Sequence, residues 1–402
     1  MTARDWARDF DHLDPTFVED PYAVYESLRG HCPVAHTDQY GGVHVLTRWA
    51  DIDEVVHDPA RFSSRRTIVN AVPTSHPGLP LPPLNFDPPI HTELRRAMLP
   101  FFNPHNTARW APEIEAICTR RLDALAGRNT CDGASDYAQA VPSEITAIML
   151  GVDAAEGDRF RHWIHDLIEV GPGDVDLLRR TTRAMTDYLA DLLEQTRSAR
   201  ADRPGTTVDP GRNIVEFLLD VAGNDDRFDD TAIVNTLFLV LIAGIDTTWS
   251  AIGFALEHLG RNPDDRRRLV AEPGLVPTAT EEFLRAYAPV SMARVAEIDT
   301  EVAGCPVRAG EWVLMAFPAA NRDPAAFERA DEVLIDRAEN RHATFGLGVH
   351  RCIGSNLARL EINIALARWL ERFPEFRLAE GASVSYAAGQ VRGPRRVPLV
   401  LG

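Results

Sequence analysis

Apolar residues recur every three or four positions over residues 94–102, 114–125, 145–150, 185–193 and 357–370. That spacing sets them on one face of an α-helix and predicts amphipathic helices packed on a core. Strand patterns are few. Val43-His44-Val45-Leu46 follows a Gly-Gly turn, and residues 302–315 predict a hairpin turning near Ala309 and Gly310. Helices outnumber strands without regular alternation, so the fold class expected is mainly α with small accessory β-sheets. Residues 231–259 differ, being apolar almost all round, which predicts one long buried helix. The run Ala243-Gly244-Ile245-Asp246-Thr247-Thr248 interrupts it.

Two stretches leave the helical pattern. Residues 67–90 carry seven prolines from Pro73 to Pro89 among Ile68, Val69, Val72, Leu79 and Leu84. A long apolar loop in a compact domain is uncommon and often functional. Residues 198–213 are polar and read as a surface loop. There is no internal repeat and no linker-like stretch, so a single domain is expected over 1–402.

Charge and cysteine usage narrow the function classes. The net charge is −17 and the chain has no lysine, so all 42 fixed cations are arginines. That acidity argues against nucleic-acid or anionic-membrane partners. Cys32, Cys118, Cys131, Cys305 and Cys352 are scattered and include no Cys-x-x-Cys pair. A disulfide framework, a structural zinc site and an iron–sulfur motif are therefore not expected. The charged N-terminus shows no signal peptide or anchor, and the most apolar run, 233–245, is shorter than the roughly 20 residues a bilayer needs. A cytoplasmic chain is the expectation.

Candidate chemistry centres on Phe345-Gly346-Leu347-Gly348-Val349-His350-Arg351-Cys352-Ile353-Gly354, with a helical pattern following. Glycines let a backbone turn tightly and approach a bulky planar group. A cysteine opening a helix meets the positive dipole end, which favours a thiolate suited to binding iron. A cysteine beside glycines is also a common packing residue, and spacing alone leaves both readings open. A dinucleotide-binding loop is excluded because Arg351 holds the third glycine position. Asp246 and Thr247 in an apolar helix are costly unless paired or functional. Alternatively the acid is satisfied in the core and the hydroxyl bonds back to a helix carbonyl. Glu282 and Arg285 stand at i and i+3, His91 and Arg95 at i and i+4; either pair could be an exposed helical pair.

The ten-residue string resembles the haem-binding signature of the cytochrome P-450 family, Phe-x-x-Gly-x-His/Arg-x-Cys-x-Gly, with every position filled. Ala243-Gly244-x-Asp246-Thr247 is similar to the family's Ala-Gly-x-Asp/Glu-Thr, and Glu282-x-x-Arg285 to its Glu-x-x-Arg. Asn321-Arg322-Asp323-Pro324, Asp20-Pro21-Tyr22 and Phe62-Ser63-Ser64 extend the resemblance over essentially the whole chain. It implies a fold that holds haem b between the long central helix and the helix after the cysteine loop. Cys352 becomes the axial iron ligand, with Phe345, Gly346, Gly348 and Gly354 shaping its loop. His91 and Arg95 bind the haem propionates from one side, Arg294 and His350 from the other. Ala243 and Gly244 leave room for dioxygen, while Asp246 and Thr247 order water and relay protons. Arg337 completes a structural ion pair with Glu282 and Arg285.

The activity implied is a haem-thiolate monooxygenase that hydroxylates, dealkylates or epoxidises an apolar small-to-medium molecule. Its pocket would be read by residues 67–86 with Leu84, the 165–180 region, Leu239 and Ala243, Val290 to Ala293 with Ser291 and Met292, and Gly389 to Val391 with Gln390. Electrons would come from a two-iron, two-sulfur ferredoxin and its NAD(P)H-dependent reductase, docking at Arg351, Arg96 and Arg359. Those arginines read equally as ordinary solvated charges. A peroxide-driven or non-oxygenase haem-thiolate enzyme, or a haem sensor, would keep Cys352 without needing the Asp246–Thr247 pair.

Overall fold

The computed structural model describes residues 4–69, 79–202 and 213–402. Part of the proline-rich stretch (70–78) and of the polar one (203–212) lies outside the described residues.

Each helical period becomes a helix, over Ile90–Met98, Ala111–Asp123, Ala140–Leu150, Val175–Ala201 and Ser355–Arg372. Side-chain caps set several boundaries: Asp174 accepts from the N–H groups of Asp176 and Leu177, and Gly151 closes its helix in the left-handed region at φ 83°. The Val175–Ala201 helix runs through the first residues of the polar stretch expected to be loop.

The central helix spans Asp230–Arg261, 32 residues, capped by Asp229 and ended at Asn262–Pro263. It continues unbroken through Ala243 to Thr248, so the predicted interruption is chemical and not conformational. By length and composition alone it could cross a membrane, which corrects the reading of its apolar run as too short. Most of it is enclosed instead, packed against Ala140–Leu150, Val175–Ala201 and Ser355–Arg372. Its all-round apolarity comes from that enclosure.

The largest sheet has five strands in the order Val34–Thr37, Val43–Leu46, Trp312–Met315, Met292–Ala296 and Phe62–Ser63. Val43–Leu46 runs parallel to Trp312–Met315, which runs antiparallel to Met292–Ala296. The predicted hairpin turns earlier than expected. Ala303 and Gly304, both at positive φ, join Thr300–Val302 to Cys305–Val307. Gly310 instead directs the chain into Trp312–Met315 and the large sheet. Of the apolar loop, Leu79, Leu81 and Phe86 pack on the main core. Asn85 pins this segment, accepting from the Leu81 N–H at 2.7 Å and donating to the Leu79 carbonyl at 3.1 Å.

The Glu282–Arg285 pair is fully buried, which removes the exposed-pair reading. Arg285 donates to both Glu282 carboxylate oxygens at 2.8 Å, and Arg337 Nε donates to Oε2 at 2.9 Å. Leu334 N–H and Asn340 Nδ2 add bonds to the same carboxylate, which holds Glu282 below the usual carboxylate range despite burial. Arg285 also donates to the carbonyls of Asn321, Ala330 and Glu332. The triad thus ties helix Val276–Ala286 to the meandering chain that leads to the cysteine loop. Glu282→Leu strands two buried guanidiniums and is expected to cost about 3–5 kcal/mol, read as a lowered urea midpoint.

Candidate functional site

The cysteine loop is closed by its own backbone. Cys352 N–H donates to the Phe345 carbonyl at 2.7 Å, and a short turn over Gly348–His350 lies between. Gly346 and Gly348 both take positive φ. At Gly348 a second demand is added, because a Cβ there would lie 2.5 Å from the carbonyl oxygen of Val56. The loop is thereby seated on the end of helix Trp49–Val56. Gly354 opens helix Ser355–Arg372 beside the thiol, its would-be Cβ 4.0 Å from Sγ.

Burial pushes the Cys352 thiol up, against the Gly354 N–H and the charges of Arg95, Arg351 and Arg359, which pull it down. The helix-terminal N–H and the nearby arginines favour the thiolate, while desolvation opposes it. A bound metal ion deprotonates a coordinating thiol outright, so the residue remains chemically suited to iron.

Above the loop, four basic side chains converge from three elements. His91 comes from helix Ile90–Met98 and is buried, its ring centroid 4.0 Å from that of His350. The two predicted sides of the cofactor frame thus meet. Among the described residues, both ring nitrogens of His91 and Nε2 of His350 are buried without a hydrogen-bond partner. Arg294, on strand Met292–Ala296, is 6% exposed, and among the described residues it donates only to the carbonyl of Ala293. Burial lowers its pKa to about 10. Burial and the charges of Arg95 and Arg294 push His91 down to about 4, and burial with Arg294, His91 and Arg95 pushes His350 to about 2. Asp87, the nearby acid, is engaged by Ser63 Oγ and the Ser64 N–H. Arg95 Nη2 donates to the Arg351 carbonyl at 2.5 Å. Buried donors without acceptors are costly, and a ligand bearing two carboxylates beside an iron-binding sulfur would satisfy them. The donor set fits a haem with its propionates.

On the central helix Ala243 is exposed and Thr247 half-buried. Thr247 Oγ1 donates back to the Ala243 carbonyl at 2.8 Å. At Gly244 a Cβ would meet only Thr146 Oγ1, at an ordinary 3.6 Å. Asp246 is 1% exposed and paired with a residue that sequence reasoning missed. Arg395 Nη2 donates to Asp246 Oδ1 at 2.5 Å, Nη1 to Ser250 Oγ at 3.2 Å, and Nε to Glu169 Oε1 at 2.6 Å. Its guanidinium lies 4.2 Å from the Trp249 ring centre. Asp246 Oδ2 is left without a partner among the described residues. Burial raises Asp246 to about 6; Arg395 opposes the shift and Glu169 adds to it. No local pattern announces Arg395, which stands 149 positions from Asp246.

Of the predicted pocket residues, Leu84, Val290, Met292 and Val391 are half-buried and Leu239 is 9% exposed. Val290 and Val391 form an isolated bridge. Ser291 departs from the expectation: it is buried against Tyr25, on the side of Ala293 and Val295. Strand alternation sets it opposite Met292 and Arg294. Arg96 and Arg351 are exposed as a docking surface requires. Arg359 is not free, since Glu281 holds it at 2.6 and 2.8 Å, 4.4 Å from the Phe345 ring centre.

The cytochrome P450 family profile matches residues 37–276 and 274–384. This chain belongs to the cytochrome P450 family. It is 33% identical to a vitamin D(3) 25-hydroxylase of Pseudonocardia autotrophica over 98% of this chain and 96% of that one. It is 34% identical to a pentalenic acid synthase of Streptomyces avermitilis, covering 96% of each. The solved structure of PksS, the P450 of the Bacillus subtilis bacillaene polyketide synthase, superposes with a TM-score of 0.88 at 26% identity, over 98% of this chain and all of that one. The mainly α architecture is the P450 fold, and the family binds haem and uses dioxygen as a monooxygenase.

Gly348→Ala is expected to abolish stable haem incorporation, seen as a low ratio of Soret to protein absorbance. Gly310→Ala, also at positive φ but with open space around its would-be Cβ, should retain haem.

Proposed function

We propose that this P450 hydroxylates, dealkylates or epoxidises an apolar small-to-medium organic molecule, with electrons from a two-iron, two-sulfur ferredoxin and its NAD(P)H-dependent reductase. Cys352 holds the iron of haem b, and His91, Arg95, Arg294 and His350 hold its propionates. Phe345, Gly346, Gly348 and Gly354 shape the thiolate face, and Ala243 and Gly244 the dioxygen face. Bound there, the haem supplies dioxygen activation and the oxidation of the substrate. The polypeptide orients the substrate, excludes water and supplies protons. Leu84, Leu239, Val290, Met292 and Val391 form an apolar wall, consistent with the vitamin D(3) and pentalenic acid named for its relatives.

One observation carries the monooxygenase reading: Asp246 sits buried beside Thr247 with a pKa of about 6 and one unpartnered oxygen. A carboxyl poised near neutrality both takes up and releases protons at physiological pH. Arg395 fixes its Oδ1, which leaves Oδ2 for the proton. The Thr247 hydroxyl, one position on, hands that proton toward the dioxygen face once it leaves the Ala243 carbonyl. Peroxide-driven, non-oxygenase and sensor proteins have no use for such a pair. We assign residues 1–402 to one haem domain, in the cytoplasm.

The test compares product formation by the wild type and Thr247→Ala under two regimes. With ferredoxin, reductase and NAD(P)H, the variant should consume reductant while forming about 10- to 100-fold less product. Product from peroxide alone, with none from the reduced carrier, would replace this reading by the peroxide-driven one.

An acidic ferredoxin would dock against Arg351 of the cysteine loop and Arg96, both exposed cations. Arg351→Glu should slow ferredoxin-driven turnover about tenfold at low salt and leave substrate-induced spectral shifts unchanged. Unaltered turnover would remove Arg351 from the docking surface.

A further inference from the structure

Gln390 reads in sequence as a polar substrate reader, but its side chain is spent elsewhere. Its Oε1 accepts the Val69 N–H, while Nε2 donates to the Thr67 carbonyl at 3.0 Å and the Ser291 carbonyl at 2.9 Å. Both amide hydrogens and the oxygen are therefore used by backbone groups. The backbone around it repeats the connection. Ser291 N–H donates to the Gln390 carbonyl at 2.8 Å, Arg392 N–H to the Pro289 carbonyl at 2.8 Å, and Ala293 N–H to the Thr67 carbonyl at 3.0 Å. Three segments, 67–69, 289–293 and 389–392, meet at this one amide. On the far side Arg392 donates to the carbonyls of Val18 and Glu19, so the turn is anchored from behind as well.

The neighbours of the clamped atoms belong to the apolar wall proposed above. Val290 and Met292 flank Ser291, and Val391 follows Gln390, bridged to Val290. We propose that Gln390 is a positioning residue for substrate: its amide, bonded to Thr67, Val69 and Ser291, fixes how far apart these wall segments stand. It shapes the pocket without touching what the pocket holds. The inference rests on the haem-monooxygenase reading and deepens it. A side chain locked by three half-buried bonds holds its neighbours to a fraction of an ångström, and bulky ligands feel such spacing where small ones do not.

The experiment uses the haem-loaded protein and two iron-binding probes, imidazole and 4-phenylimidazole, titrated by their Soret shifts. Gln390→Leu keeps most of the volume and removes all three side-chain bonds. Gln390→Glu keeps an acceptor for Val69 but removes both donors and faces two carbonyls with a charge. In both variants imidazole should bind as in the wild type, while 4-phenylimidazole weakens about fivefold or more. A ratio of the two affinities that stays at the wild-type value in both variants overturns the clamp, whatever happens to the melting temperature. So does a wild-type ratio in Gln390→Glu alone, since the donors would then be dispensable. Absence of any imidazole shift in the wild type would count against the haem reading and, with it, the clamp. An unchanged ratio counts against the clamp alone.

Discussion

Among the described residues, Arg294 is buried with a single hydrogen bond, to the carbonyl of the residue before it, and the two imidazoles near it have ring nitrogens with no partner. Leaving such groups dry is unfavourable by several kcal/mol unless an acceptor arrives. The strand Met292–Ala296 supplies one of these bases, the helix Ile90–Met98 another, and the turn Gly348–His350 a third. Sheet, helix and cysteine loop must be held in one arrangement for these bases to converge. The seating of Gly348 on Val56 and the burial of Glu282 with its arginines both serve that arrangement.

Two acids in this core are treated in opposite ways. Glu282 accepts from Arg285, Arg337, Asn340 and the Leu334 amide, so its charge is fully answered and it stays ionised. Asp246 has one guanidinium, shared with Glu169, and an oxygen left over. The first acid is fixed in one protonation state and acts as a tie. The second is held between states, which is what a proton donor requires. Burial alone does not separate them; the number of answering donors does.

Much of this was legible from the chain because the carriers are local. Glycine at 346 and 348, cysteine at 352 and the Asp246–Thr247 pair lie in short strings, and amphipathic periods fixed the main helices. The turn at Ala303–Gly304 was misplaced because Gly310 offered an equally good turn residue, and only pairing with Met292–Ala296 decides between them. Arg395, Glu169 and the clamp by Gln390 were invisible for one reason. Each acts across about a hundred positions or more, and such a polar side chain carries no local mark of its partner. Ser291 shows the converse limit: it stands between Val290 and Met292 in sequence, and the alternation of the strand turns its side chain toward Tyr25.

The Asp246–Arg395–Glu169 network also constrains how sequences like this one can drift. Loss of Arg395 alone would leave buried Asp246 beside the half-buried Glu169 with no cation between them, and loss of Glu169 alone would shift the protonation of Asp246. The three positions therefore form one heritable character spread over the central helix, a π-helical turn and a C-terminal strand. Residues in one such network couple energetically, so changing one alters what the other two contribute.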